Sequence, residues 1–161
     1  DYTLWSSFTW VVMLVLMISG ASTYSTSGGI KISRVVLISK FCYYEFKKLV
    51  HPNAIMPVKF NGQMIKDDVM MRILAFSMIY ILIIVFGTFV LSLSGLGFVE
   101  SVSGMITCIS DVGLGLGQLG PSHSFSEIPE FSKWFLAFVM IVGRLEVYSV
   151  LLLFTPEFWK K

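Results

Sequence analysis

Charge is scarce in this 161-residue chain: 14% of its residues are Asp, Glu, Lys or Arg, against roughly 25% in soluble domains. From Ile73 to Ser132 there is no Lys or Arg at all. A net charge of +2 without a basic stripe leaves no footprint for nucleic acid, and none is expected as a partner. Cysteine is limited to Cys42 and Cys108, which fall in segments expected on opposite sides of a membrane. That placement argues against a disulfide or metal pair, and His51 and His123 add no ligand spacing. No charged n-region or cleavage site precedes the first apolar run, so that run is not expected to be a signal peptide. The chain starts at Asp1 and reads as a fragment cut from a longer polytopic protein.

What is present points to lipid as solvent: 55% hydrophobic residues, 14 Phe, 9 Met and a mean hydropathy of +0.79. The first apolar run, Leu4 to Ser19, is shorter than the ~20 residues a spanning helix needs. GASTYSTSGG, Gly20 to Gly29, interrupts it with small and hydroxylated residues, and helical character returns from Ile30 to Val50. Irregular backbone at membrane depth is tolerated only where protein or a water-filled cavity covers it. Residues 1–50 are therefore expected to form a broken membrane helix with an intramembrane loop at 20–29. A connector over 51–68 carries Asn61-Gly62, a hairpin-turn dipeptide. Asp67 or Asp68 is expected to cap the next helix.

An uncharged run from Ile73 to Leu93 suits a full crossing, giving an outer helix over 69–94. The run from Phe98 to Ile109 is too short to span and suits a re-entrant helix, followed by the glycine-rich SDVGLGLGQLG, Ser110 to Gly120. A last crossing is expected over 131–155, with Arg144 and Glu146 inside it. Trp5, Trp10, Trp134 and Trp159 fall near run ends as interfacial anchors. Eight basic residues lie between Ile30 and Arg72, and Lys160 and Lys161 close the chain. By the positive-inside rule, residues 30–72 and the C-terminus are cytoplasmic. Lys31 and Arg34 read as positive-inside anchors. The expected class is an all-α polytopic membrane protein.

GLGQLG, Gly115 to Gly120, formally matches the dinucleotide fingerprint GxGxxG. The fingerprint needs a strand before it, a helix after it and an acidic residue ~20 positions on. Here a helix-like run precedes, Pro121 follows, and the distant position falls at Phe138 and Val139. A short helix followed by glycine-rich backbone, between two spanning runs, is instead the layout of an ion-channel pore loop. Backbone carbonyls can replace the hydration shell of a cation without net charge. Glycine takes dihedrals closed to other residues, so successive carbonyls can point inward.

Asp111-Val112-Gly113-Leu114-Gly115 resembles, in degenerate form, the potassium-channel filter TVGYG. GRLE at Gly143 to Glu146, TPEFW at Thr155 to Trp159, GASTYSTSGGIK and VHPNAIMPVKFNG complete a resemblance to the TrkH/Ktr-type family of potassium-translocating subunits. That family folds as four membrane-helix, pore-loop, membrane-helix repeats around one pore. The resemblance implies that residues 1–50 are the inner helix of the third repeat and 69–161 the fourth repeat. It implies an ion filter at Ser110, Asp111, Val112, Gly113, Leu114 and Gly115, with K+ on backbone carbonyls near Val112 and Gly113. The gate it implies is Gly20, Ala21, Ser22, Thr23, Ser25, Thr26, Ser27, Gly28 and Gly29 with Arg144, and Glu146 is a charge partner for another segment. Asp111 stands where the family commonly has Asn: it either raises cation concentration at the filter mouth or accepts hydrogen bonds behind the filter. Leu114 replaces a common Pro.

The function implied is gated passage of potassium across a prokaryotic plasma membrane, without covalent chemistry or a bound cofactor. Implied partners are a second copy, a cytosolic nucleotide-binding regulatory subunit of TrkA/KtrA type, and membrane lipid. Two other classes compete: a secondary transporter with re-entrant loops and a non-conducting membrane scaffold. The first predicts an inverted repeat that the fragment does not show, and the second leaves Arg144 and the paired glycine-rich segments unexplained.

Overall fold

The computed structural model describes residues 5–22, 25, 28–51, 59–60, 63–121, 125–147, 150 and 159. Among these residues five α-helices carry the fold: α1 (Ser7–Ile18), α2 (Ile32–Val50), α3 (Asp67–Leu93), α4 (Phe98–Ile109) and α5 (Glu130–Arg144). A two-residue antiparallel ribbon, β1 (Lys59–Phe60) and β2 (Gln63–Met64), joins α2 to α3. Its register brackets Asn61-Gly62, the turn expected from the sequence, although those two residues lie outside the described set.

The long helix α3 is long and apolar enough to cross a membrane, with a mean window hydropathy of 2.6. It begins two residues before the expected start. Lys66 occupies the N-cap without a side-chain cap bond, and Asp67 and Asp68 fall inside the first turn. There their charges meet the positive end of the helix dipole, which serves the same end as a cap. Met78, Ile81, Leu82, Val85, Phe86 and Phe89 remain exposed on its outer surface.

The amphipathic helix α4 is the centre of the packing, held between α3 and α5, with α1 against its other side and α2 against α3. In lipid, apolar burial drives little helix association, so close contact between small residues carries more of the load. Two such contacts hold α4. The Met105 side chain fills the space a Cβ would take at Gly87 of α3, and Gly143 of α5 sits directly on the Ile109 backbone. Tyr80, Leu91, Met105, Ile109 and Leu119 form the most enclosed part of the core.

The last helix departs from expectation. One helix over 131–155 is expected; α5 ends at Arg144, and Glu146 adopts φ 58, in the left-handed region. The Leu145 N–H closes onto the Ile141 carbonyl at 3.0 Å and the Glu146 N–H onto Gly143 at 3.4 Å, which terminates the helix. Helical backbone resumes at Val147; residues 148–149 and 151–158, with the expected TPEF terminus, lie outside the described set. A left-handed residue other than glycine costs roughly 1–2 kcal/mol.

Candidate functional site

The chain reverses at the end of α4 by a Schellman motif. The Val112 N–H reaches back to the Thr107 carbonyl at 3.0 Å and the Asp111 N–H to the Cys108 carbonyl at 3.4 Å. This pair of bonds places Asp111 at the left-handed position, with φ 56. Asp and Asn tolerate that region better than other non-glycine residues, because a short polar side chain can bond locally. Backbone geometry therefore gives a first reason for the acidic residue after Ser110.

Beyond the reversal, Val112, Gly113 and Leu114 run as exposed, irregular backbone, and Gly113 has φ 91. The strip is fastened to α4 by hydroxyls. Thr107 Oγ1 donates to the Leu114 carbonyl at 2.9 Å, and Ser103 Oγ accepts the Leu116 N–H at 3.0 Å. Gly115 closes the end by donating to the Leu119 carbonyl at 2.9 Å. The Leu114 carbonyl, one of those expected to face an ion, accepts this bond from Thr107 with one lone pair and keeps a second. Residue composition hid Ser103 and Thr107 as functional candidates, but their spacing of four on one helix face was a usable signal.

The glycine-rich segment between α1 and α2 meets the base of this strip. Its ends are stitched together by the Ile30 N–H to the Ile18 carbonyl at 3.3 Å and the Ile32 N–H to Ala21 at 3.2 Å. Gly20 and Gly29 take φ 55 and φ 83. Ala21, Ser22 and Ser25 are also described, whereas Thr23, Thr26 and Ser27 lie outside the described set. A Cβ at Gly28 would stand 2.5 Å from the Ile109 carbonyl oxygen and 3.0 Å from Asp111 Oδ2. The loop thus packs backbone-to-backbone against the first residues of the strip. The Asp111 carboxylate is turned toward it: Oδ2 is buried against Gly28 without a hydrogen-bond partner among the described residues, and it feels the charge of Arg144.

Arg144 and Glu146 sit at the break in the last helix. Arg144 is the final residue of α5 and not a mid-helix charge, so the helix dipole favours it. Glu146 pairs with Lys31 at 2.9 Å and faces Arg34 at 3.8 Å. The expectation that Glu146 meets another segment therefore holds, while Lys31 and Arg34 are more than membrane anchors. Arg34 also stacks over the Phe76 ring at 4.1 Å, a cation–π contact. These contacts tie the start of α2, just after the loop, to the broken helix and to α3.

The sequence matches the family described as TrkH, cation transport protein, over residues 1–161. The chain belongs to the TrkH family. It is 35% identical over 162 residues to the Trk system potassium uptake protein TrkI of Halomonas elongata, covering 100% of this chain and 33% of that one. It is 36% identical to the Trk system potassium uptake protein TrkG of Escherichia coli K12, covering 99% of this chain and 33% of the relative. The crystal structure of the potassium transporter TrkH from Vibrio parahaemolyticus superposes with a TM-score of 0.87 at 31% identity, over 98% of this chain and 33% of that chain. The chain spans about a third of the length of the curated relatives it matches. It is an all-α membrane protein of the TrkH type, and proteins of this family are transporters.

Proposed function

We propose that this chain is the C-terminal part of a potassium-translocating subunit, holding the inner helix of a third repeat and the whole of a fourth. The observation that carries the reading is the contact of two glycine-rich segments: the strip after α4 and the loop after α1 meet at Gly28, Ile109 and Asp111. A dehydrated cation needs several oxygens at short range. The carbonyls of Val112 and Gly113, on exposed irregular backbone that leaves α4 after a tight reversal, supply this repeat's share. The loop from Gly20 to Gly29 acts as the gate beneath them.

Arg144 is the electrostatic part of that gate. It stands where the loop, the base of the strip and the end of α5 converge. A fixed positive charge there opposes cation passage until the loop moves. The protein lies in a prokaryotic plasma membrane with residues 30–72 and the C-terminus in the cytoplasm. It works as a homodimer with a cytosolic nucleotide-binding regulatory subunit on that side. No covalent step and no resident cofactor are part of this reading; K+ is cargo.

The test is potassium uptake by the full-length parent in a bacterial strain that lacks its own uptake systems. Arg144→Ala is expected to raise K+ flux severalfold at unchanged protein amount, because it removes the opposing charge. Flux equal to the unsubstituted protein would remove Arg144 from the gate. Absence of any K+ uptake by the unsubstituted parent would overturn the functional reading itself.

A further inference from the structure

The first residue of the strip is held from behind by a tyrosine of the outer helix. Tyr80 of α3 is 1% exposed, and its phenol oxygen lies 2.8 Å from Ser110 Oγ. Ser110 is equally enclosed, and a Cβ at Gly29 of the loop would sit 3.3 Å from the same Oγ. The Ser110 hydroxyl therefore occupies a closed niche between the outer helix and the loop. The phenol reaches it because its ring is fixed: Tyr80 stacks on Phe76 with centroids 6.3 Å apart and planes 20° apart. Phe76 in turn carries the Arg34 guanidinium at 4.1 Å.

We propose that Tyr80 is a positioning residue for ion selectivity, holding the Ser110 hydroxyl in this niche and out of the ion path. The inference rests on the potassium-filter reading above. Selectivity depends on the number and field strength of the oxygens an ion meets. With Ser110 held back, this repeat presents backbone oxygens alone at its base. Without the phenol oxygen the hydroxyl loses the bond that draws it toward α3, and its torsion can settle in another staggered position. It then adds an oxygen of different strength where the filter meets the gate loop.

K+ and Na+ uptake by the full-length parent, measured separately with membrane protein quantified, tests this. Tyr80→Phe removes one oxygen and keeps the ring. It is expected to lower K+ over Na+ discrimination about fivefold, the equivalent of about 1 kcal/mol, the usual net value of one hydrogen bond. The loss is expected in the KM for K+ more than in the maximal rate. Adding Ser110→Ala to Tyr80→Phe is expected to restore discrimination, because no hydroxyl remains to rotate. A bond that served packing alone would make the double variant worse. Three results overturn the proposal: unchanged discrimination in Tyr80→Phe, a double variant worse than the single, or loss of Tyr80→Phe protein from the membrane. All three leave K+ uptake by the unsubstituted parent intact, whereas failure of the functional reading abolishes it.

Discussion

Gly113→Ser is expected to cut K+ over Na+ discrimination by roughly tenfold or more, about 1.4 kcal/mol, while the protein reaches the membrane in normal amount. The reason is conformational and not steric. A Cβ at Gly113 meets no atom within 4 Å, but the backbone sits at φ 91. A side-chain-bearing residue held there stores about 1–3 kcal/mol of strain. The exposed strip relieves it by rotating its peptides, and rotation turns the Val112 and Gly113 carbonyls away from a common ion. Gly95 supplies the control: it has φ 90 and equally open surroundings, but it lies in the connector between α3 and α4. Gly95→Ser is expected to retain selectivity. Ion-competition uptake on both variants decides the matter, and full discrimination in Gly113→Ser would remove that residue from the filter.

The second large effect is expected at Gly143, where the obstacle is space. A Cβ there collides with the Ile109 carbonyl oxygen and stands 2.9 Å from the Ile109 carbonyl carbon. Both partners are backbone at the last residue of α4, and neither can move aside as a flexible side chain can. Even Gly143→Ala must push α5 away from the point where the strip begins, an overpacking cost of about 1–3 kcal/mol. Less protein in the membrane and at least about tenfold less uptake are expected together. Quantified membrane protein beside K+ uptake reads both. Normal values for Gly143→Ala would mean that α5 is not wedged against α4 as the structure has it.

These two glycines mark where sequence reasoning reaches and where it stops. Gly113 stood out because glycine-rich backbone after a short apolar run is a local pattern. Gly143 drew notice only as part of GRLE, since its partner Ile109 is 34 positions earlier in the chain. Likewise, Arg144 read as a mid-helix charge because no Gly or Pro follows it to announce a break. The break is made by Glu146 in a left-handed conformation, in a segment whose ion pair with Lys31 spans 115 positions. Local propensity carries no sign of such a partner.

The sequence by itself determined the solvent, the class and the run of helices as far as α5, whose end at Arg144 it did not show. Apolar run length decides whether a segment can cross lipid, and the small-residue interruption at 20–29 cannot continue a helix cheaply. It also determined family membership, through motifs kept in order along the whole chain. Only the tertiary structure decided which oxygens and charges meet. Thr107 donating to the Leu114 carbonyl, Tyr80 enclosing the Ser110 hydroxyl, and Gly28 resting on Ile109 and Asp111 all join residues that local propensity does not pair. Hydrogen bonds and ion pairs act over about 3–4 Å, so their partners are fixed by packing and not by position in the chain.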